Sequence, residues 1–210
     1  MRNTILMLFG LLAFSLRDIS SARADIATDN EVLLRQLDEA VANKSIYQSA
    51  RKQKADSLHA SALAKKGYDR IQDLQQAYET YNRSLSDSVF AILNEIKQCP
   101  EYAGDSLLPV WVALSEARNY GVMGYYATAF DILEEYDPQD YDRELQLHYY
   151  NTIHAVSGWM ADFAAKSAPD LAEGMVQKAT QYYDSIYALE TDPFSRTLIS
   201  CNQMYDRGDY

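Results

Sequence analysis

The 210-residue chain has little glycine, proline or cysteine. Gly and Pro number 8 and 5, and only two cysteines are present. So few turn formers, beside many Ala, Leu, Gln, Lys and Glu, predict long helices joined by short connections. No stretch of useful length alternates apolar and polar residues, which argues against a sheet. We therefore expect an all-α fold, and 48% apolar residues are ample for a core.

Two thiols are too few for a disulfide framework. Cys99 and Cys201 suit an oxidising compartment without requiring one. We interpret both as core residues, and a bond between them is the alternative.

Motifs of the common enzyme classes are also missing. The chain has no Gly-x-Ser-x-Gly elbow, no phosphate-cradling glycine loop and no His-Glu-x-x-His. His148 and His154 are six residues apart, on different faces of one predicted helix. Glu144 and His148 are four apart and could share a metal, but no third ligand is evident. We therefore predict no catalytic residue, no cofactor, no metal site and no enzyme activity.

The densest charged cluster is acidic. Calcium needs about six to eight oxygen ligands on a loop that bends sharply, often at a glycine, and this cluster has no glycine. We interpret it as a solvated, helix-capping surface, with weak divalent-ion binding as the alternative. Its members are Asp131, Glu134, Glu135, Asp137, Asp140, Asp142 and Glu144.

Residues 1–24 have the pattern of a signal peptide. Arg2 precedes an apolar run from Ile5 to Leu16, and Ala22-Arg23-Ala24 gives a small-x-small cleavage site. The run is shorter than the roughly 20 apolar residues that span a bilayer. We expect export, most simply to a bacterial periplasm, and an uncleaved N-terminal anchor is the alternative.

Negative charge is concentrated in the second half of the chain. Residues 25–100 carry 10 basic and 11 acidic side chains, whereas residues 101–210 carry 6 and 18. Such a surface repels phosphate backbones, which argues against nucleic-acid binding. The change near Pro100 predicts N-terminal helical hairpins over 25–103 and repeats over 104–210.

Apolar spacing and capping residues place the helices. One predicted helix ends at Gly67, and another begins at Asp137-Pro138 and buries Phe163. A further helix begins at Pro169-Asp170, continues to Leu189 and buries Leu171.

One segment has the pattern of a helical hairpin. A large aromatic ends the first helix, a glycine makes the turn, and small residues let the helices lie close. The residues are Ala117, Tyr120, Gly124, Tyr126, Ala129 and Leu133. Their order resembles the tetratricopeptide repeat, which implies antiparallel hairpins stacked as an α-solenoid.

The C-terminus repeats part of this motif. Cys201, Gly208 and Tyr210 align with Ala117, Gly124 and Tyr126. A last repeat that stops before its second helix predicts a fragment of a longer protein or a truncated product, and coincidence in a short match is the alternative.

A wider resemblance covers most of residues 30–210. It depends on Leu37-Asp-Glu-Ala, on Tyr78-x-x-Tyr81 and on the segment from Gly124 to Leu133, with two further Tyr-Tyr segments. These resemble the periplasmic region of LuxR-type one-protein transmembrane regulators of Gram-negative bacteria. The resemblance implies the sensory half of a regulator, with a transmembrane helix, a coiled coil and a DNA-binding domain following it in longer relatives.

Trp111 and Arg118 are the candidate partner-binding residues. They are seven apart on the first helix of the best repeat, on a face that tends to line the groove of such repeats. A partner carboxylate could meet Arg118 while an apolar group meets Trp111. The alternative, which we favour, is that Trp111 packs against residues 92–96.

The leading hypothesis is an exported helical-repeat module that binds a peptide, protein or small ligand for signalling. A periplasmic scaffold that mediates protein assembly is the second, and an exported hydrolase that depends on His148 or His154 is the third.

Overall fold

A computed structural model describes residues 30–81 and 86–207, and these contain helices and no strand. The predicted signal segment, Gly208 and Tyr210 lie outside these ranges. The helices are α1 (residues 30–42), α2 (Lys44–Leu63), α3 (Gly67–Tyr81), α4 (Ser86–Lys97), α5 (Leu108–Val122), α6 (Tyr126–Glu134), α7 (Arg143–Ala164), α8 (Pro169–Thr180), α9 (Tyr183–Leu189) and α10 (Pro193–Arg207). Short 3₁₀ turns occupy Pro100–Ala103 and Pro138–Asp140.

The chain divides into two compact units after Ala50. In the first unit, residues 30–50 include α1 and the start of α2, and their large apolar side chains are exposed. The second unit, from Arg51, contains the remaining helices and the buried core. The predicted division at residue 103 stays a prediction.

Successive hairpins stack within the second unit. Helix α3 packs on α4, α5 on α6, and α7 on α8. Adjacent hairpins contact each other because α4 meets α5 and α7 meets both α5 and α6. This confirms the predicted all-α fold of antiparallel hairpins stacked as a tetratricopeptide-like solenoid.

The turn between α5 and α6 requires a glycine. Gly124 has φ +83, a region that costs a side-chain-bearing residue energy. The Tyr125 N–H donates to the Tyr120 carbonyl at 2.9 Å, which closes the end of α5. Ala117 and Ala129 are fully buried and Leu133 nearly so, which suits two helices in close contact.

Two predicted helix ends are wrong. Helix α2 stops at Leu63, and Gly67 (φ +64) begins α3 instead of ending α2. Asp137-Pro138 opens only a 3₁₀ turn, and α7 starts later because the Asp142 carboxylate accepts the Leu145 N–H at 3.0 Å.

The helix predicted from Pro169 to Leu189 is interrupted near Tyr182. There the Ala179 carbonyl accepts the Tyr182 N–H in a tighter turn and lies 3.1 Å from Nδ1 of His154. The interruption makes α9 a separate helix with its own buried residues, Tyr183 and Ile186.

Two side chains that were expected to be buried are exposed. Phe163 is 75% exposed and Leu171 is 42% exposed. Cys201 is also exposed, so it is not a core residue, whereas Cys99 is buried, and neither forms a disulfide. For Phe163 and Leu171, the apolar period predicts a helical face of which the neighbouring helices cover only part.

Two core clusters meet at Trp111. One contains residues from α2 to α5, the other contains residues from α5, α6 and α7, and Trp111 packs against both. Among residues 30–81 and 86–207, no helix has the length and apolar character needed to cross a membrane.

Candidate binding groove on helices α3, α5 and α7

Three adjoining clefts follow helices α5 and α7, and we call them together the groove. The first cleft, of about 290 Å³, and the middle one, of about 550 Å³, share Glu144 and His148. The last cleft, of about 710 Å³, shares Arg118 with the middle one. Arg118 therefore lies at the junction of two clefts of different character.

Trp111 lines the first cleft and also belongs to the packing of the core. Its ring lies 5.1 Å from the Tyr78 ring and 5.7 Å from the His148 ring, both in edge-on geometry. Such geometry is favourable for aromatic pairs, and it holds the indole in place. The predicted partner-binding residue thus has a structural contact on each side, while part of its surface faces the cleft.

Arg118 is positioned by α7. Its Nη1 donates to the Asn151 carbonyl at 3.5 Å, and its guanidinium carbon lies 5.5 Å from the centre of the Trp159 ring. The structure does not bring Trp111 and Arg118 into one cleft, because Trp111 lines the first and Arg118 the middle and last. His148 is the residue between them.

His148 is a neutral histidine that lines the first and middle clefts. Burial lowers its pKa to about 4, and the nearby Arg118 charge adds to the effect. Its Nε2 lies 3.4 Å from Oγ of Ser115, a contact that superficially resembles a nucleophile–base pair. Ser115 is fully buried, however, so a substrate carbonyl does not reach its hydroxyl.

The rest of the middle cleft is mainly polar. Glu79 of α3 and Glu144, Asn151, Thr152 and His154 of α7 line it, together with the apolar Leu147 and Ala155. The hydroxyl of Thr152 is buried and has no hydrogen-bond partner among the described residues. A buried polar atom of this kind is costly to the fold. No cluster of three or more metal-binding side chains occurs within residues 30–81 and 86–207.

The last cleft is the more apolar one. Val122, Tyr126, Trp159 and Phe163 line it beside Gly121 and Asp162. The Tyr126 hydroxyl donates to the Trp159 carbonyl at 3.2 Å, which fixes the aromatic wall. Sequence reasoning missed Trp159 and Phe163 as site residues. Their spacing of four on one helix, which places both rings on one face, is the signal that could have found them.

Of the repeat-signature residues that the structure describes, Tyr126 alone lines a cleft of the groove. Ala117, Ala129 and Leu133 are core residues, and Tyr120 packs edge-on to Tyr125 at 6.3 Å. Cys201 lies on α10, away from this motif in the chain. Ala117, Tyr120, Ala129 and Leu133 therefore shape the hairpin and do not line the groove.

Stacked helical hairpins with a glycine turn and close small-residue contacts define the class of tetratricopeptide-repeat proteins. Domains of this class are helical-repeat binding modules. The family model described as "SusR N-terminal TPR domain" matches residues 41–210, and the chain belongs to this family. The match confirms the predicted resemblance. No curated protein and no solved structure matches the chain.

Proposed function

We propose that this chain is an exported binding module that holds a peptide, protein or small ligand in the groove. The observation that carries the proposal is the groove itself, in which a polar cleft and an apolar cleft adjoin along α5 and α7. Polar groups beside apolar surface offer a ligand both orientation and buried area. The ordered contacts of Trp111, Arg118 and Tyr126 with α3 and α7 support a site that is formed before the ligand arrives.

We further propose that the module is the sensory part of a signalling or transcription-regulatory protein and is not itself an enzyme. The family description places this kind of domain at the N-terminus of SusR, and the sequence resembles the periplasmic region of LuxR-type regulators. The apolar run and cleavage pattern of residues 1–24 support export.

Export has a direct test. The full chain with a C-terminal tag is expressed in a Gram-negative host, and the product is weighed by mass spectrometry after osmotic shock. We expect the shock fluid to contain a chain that begins at Asp25. A product of full mass that stays with the cytosol or the membrane would contradict cleavage and release.

Binding is tested by selecting displayed peptides on the mature chain and comparing groove variants with a surface control. Selected peptides should lose affinity for Trp159→Ala, on the wall of the last cleft, by about tenfold. They should bind Phe194→Ala as they bind the wild type, because Phe194 is 76% exposed on α10. If the selected peptides bind Trp159→Ala as tightly as the wild type, the proposal of a ligand in the groove loses its support.

The scaffold function is the second candidate, and exposed apolar residues on α10 favour it. Phe194, Leu198 and Met204 are all more than half exposed. If selected partners lose binding on Phe194→Ala and not on Trp159→Ala, α10 is the interaction surface and the scaffold is the better description.

A further inference from the structure

We propose that the outer face of α10 joins two copies of this chain into an antiparallel dimer whose twofold axis passes beside Cys201. The outer face is the side of α10 that points away from α9, and its apolar members are Phe194, Leu198, Cys201 and Met204. This surface lies on a different helix from the groove, and the inference does not depend on what the groove binds.

Helix α10 is fixed to the fold from one side. It packs on α9, where the guanidinium carbon of Arg196 lies 4.2 Å from the centre of the Tyr187 ring. The side-chain amide of Gln203 donates to the Asp184 carboxylate at 3.4 Å. Arg196 and Gln203 are seven positions apart, so both lie on the inner side of the helix and the opposite side is the outer face.

The outer face leaves large apolar side chains in water. Phe194 is 76% exposed, Leu198 52% and Met204 53%, and Cys201 is exposed among them. Their spacings of three and four positions place all of them on one side of the helix. A continuous apolar strip of this kind marks a surface that gains stability when a second surface covers it.

The charge of the outer face argues for a second copy of the chain. The exposed residues of α10 as far as Met204 are all uncharged, whereas residues 101–210 carry 18 acidic and 6 basic side chains. A strongly charged partner would find no side chain of opposite sign on this face. Two copies of an acidic chain repel each other, and the repulsion is smallest where they meet through an uncharged strip.

The face is also complementary to itself. A twofold contact requires that each residue of one copy meets its counterpart in reciprocal fashion. Leu198 and Met204 are each three positions from Cys201, on either side of it. In an antiparallel pair centred on Cys201, Leu198 of each copy therefore packs beside Met204 of the other, and the two thiols meet at the axis.

The size of the face sets the strength of the dimer. Two such helix faces bury on the order of 800 Å² in total, which is less than the roughly 1,200–2,000 Å² of stable interfaces. We therefore expect reversible association with a Kd of about 100 μM.

Sedimentation equilibrium of the purified wild-type chain in the presence of a reductant tests the association from about 10 μM to 1 mM. We expect a monomer at the low end and a dimer at the high end. Raising the salt concentration from about 20 to 500 mM should lower the Kd several-fold, because it screens the repulsion between acidic copies. An interface built on opposite charges would respond in the other direction.

Oxidised glutathione, a disulfide oxidant, tests the position of the axis. One S–S bond forms between the two Cys201 sulfurs, the S–S bond of glutathione breaks, and the two thiol protons and two electrons pass to glutathione. Non-reducing electrophoresis should show a cross-linked dimer at protein concentrations near the Kd. Cys201→Ser should remove the cross-link and keep the reversible dimer, whereas Cys99 is buried and does not form one.

Two matched variants test the face itself. Leu198→Glu places a carboxylate in the strip and should raise the Kd by at least tenfold. Leu171→Glu makes the same change at a 42% exposed position on α8 and should leave the Kd unchanged. The concentration and salt series need no variant, so they remain decisive even if one variant folds poorly.

A wild-type chain that stays monomeric at 1 mM and high salt would overturn the inference. A dimer that survives Leu198→Glu, or that weakens equally in both variants, would do the same because another surface would then join the copies. A reversible dimer that gives no Cys201 cross-link would overturn the antiparallel arrangement.

Discussion

At the scale of the residue, Gly121 sets how closely α5 and α7 approach. A Cβ at this position would lie 2.6 Å from Cγ2 of Val156 and 3.2 Å from the Trp159 ring. We predict that Gly121→Ala lowers the free energy of unfolding by about 1–3 kcal/mol, because the two helices must move apart. Urea denaturation followed by circular dichroism measures the change.

Gly174→Ala is the matched control for this prediction. A Cβ on Gly174, in α8, meets nothing within 4 Å. Replacement of glycine by alanine in an open helical position should raise the free energy of unfolding by about 0.5–1 kcal/mol. Equal effects of the two substitutions would show that the approach of α5 to α7 does not depend on Gly121.

His148 gives the fold a defined pH dependence. Burial beside Arg118 lowers its pKa from the ordinary 6.5 to about 4. Between these values the unfolded chain binds a proton that the folded chain does not. The free energy of unfolding should therefore fall as the pH decreases through this window, by on the order of 2–3 kcal/mol. The slope from His148 fades within about one pH unit above 6.5, where the unfolded chain also loses the proton.

Urea denaturation at several pH values from 4 to 7 tests this prediction, with His148→Gln as the comparison. The variant should lose most of the slope, since glutamine does not titrate. Hydrogen bonds lower the pKa values of Asp56, Asp73 and Asp105 from 3.8. Protonation of these carboxylates therefore destabilises the fold at lower pH than the His148 window, and the two contributions can be separated. An unchanged slope in the variant would contradict a buried neutral His148.

At the scale of the element, α2 packs against its neighbours through a narrow face. Its buried residues are Ala55 and Ala62, and most of its remaining attachments are polar. The Tyr81 hydroxyl donates to Asp56, and His59 pairs with Glu95 at 2.7 Å. Lys65, two residues after the end of α2, pairs with Asp73 at 2.8 Å. Small side chains on the inner face let α2 lie close enough to make these contacts.

Ala62→Leu should therefore overpack this face and lower the free energy of unfolding by about 1–3 kcal/mol. Ala60→Leu, on the exposed side of the same helix, should change it by less than about 0.5 kcal/mol. The comparison is made by urea denaturation at one pH and salt concentration. If Ala60→Leu lowers the free energy of unfolding more than Ala62→Leu does, the inner face of α2 has been assigned wrongly.

The existence of the helices could be predicted, but several of their ends could not. The glycine at position 124 located the turn between α5 and α6, and Pro169 located the start of α8, because these signals are local. The start of α7 and the interruption at Tyr182 depend on contacts that the sequence does not display. Asp142 caps α7 where Asp137 was expected to, and His154 of α7 reaches the Ala179 carbonyl.

At the scale of the whole molecule, Trp111 connects the two core clusters. It packs against both, and its ring contacts Tyr78 of α3 and His148 of α7. We predict that Trp111→Ala lowers the free energy of unfolding by about 2–4 kcal/mol and reduces the cooperativity of unfolding. Calorimetry and a urea titration report the two effects.

Phe194→Ala is the control for Trp111→Ala, because it removes a comparable aromatic side chain from an exposed position. It should shift the free energy of unfolding by less than about 0.5 kcal/mol. A fully cooperative and only slightly less stable Trp111 variant would mean that the clusters are coupled through other contacts of α4 and α5.

For the candidate site, the sequence predicted Trp111 and Arg118, and the structure places them in different clefts. Trp111 and Arg118 share one helix, but the residues that complete their clefts come from α3, α6 and α7. Trp159 and Phe163, the aromatic wall beside Arg118, are some 40 positions further along the chain. No spacing rule within one helix connects them to Arg118.

The sequence by itself determined the helical class and the hairpin turn of this protein. The composition, the period of the apolar residues and Gly124 act locally, because they set the backbone conformation and the face that each helix must bury. Only the tertiary structure decided which part of each face stays exposed, which residues surround Arg118, and which histidine becomes buried and neutral. These depend on how closely neighbouring helices approach, and that approach is set by pairs such as Gly121 and Val156 that lie far apart in the chain.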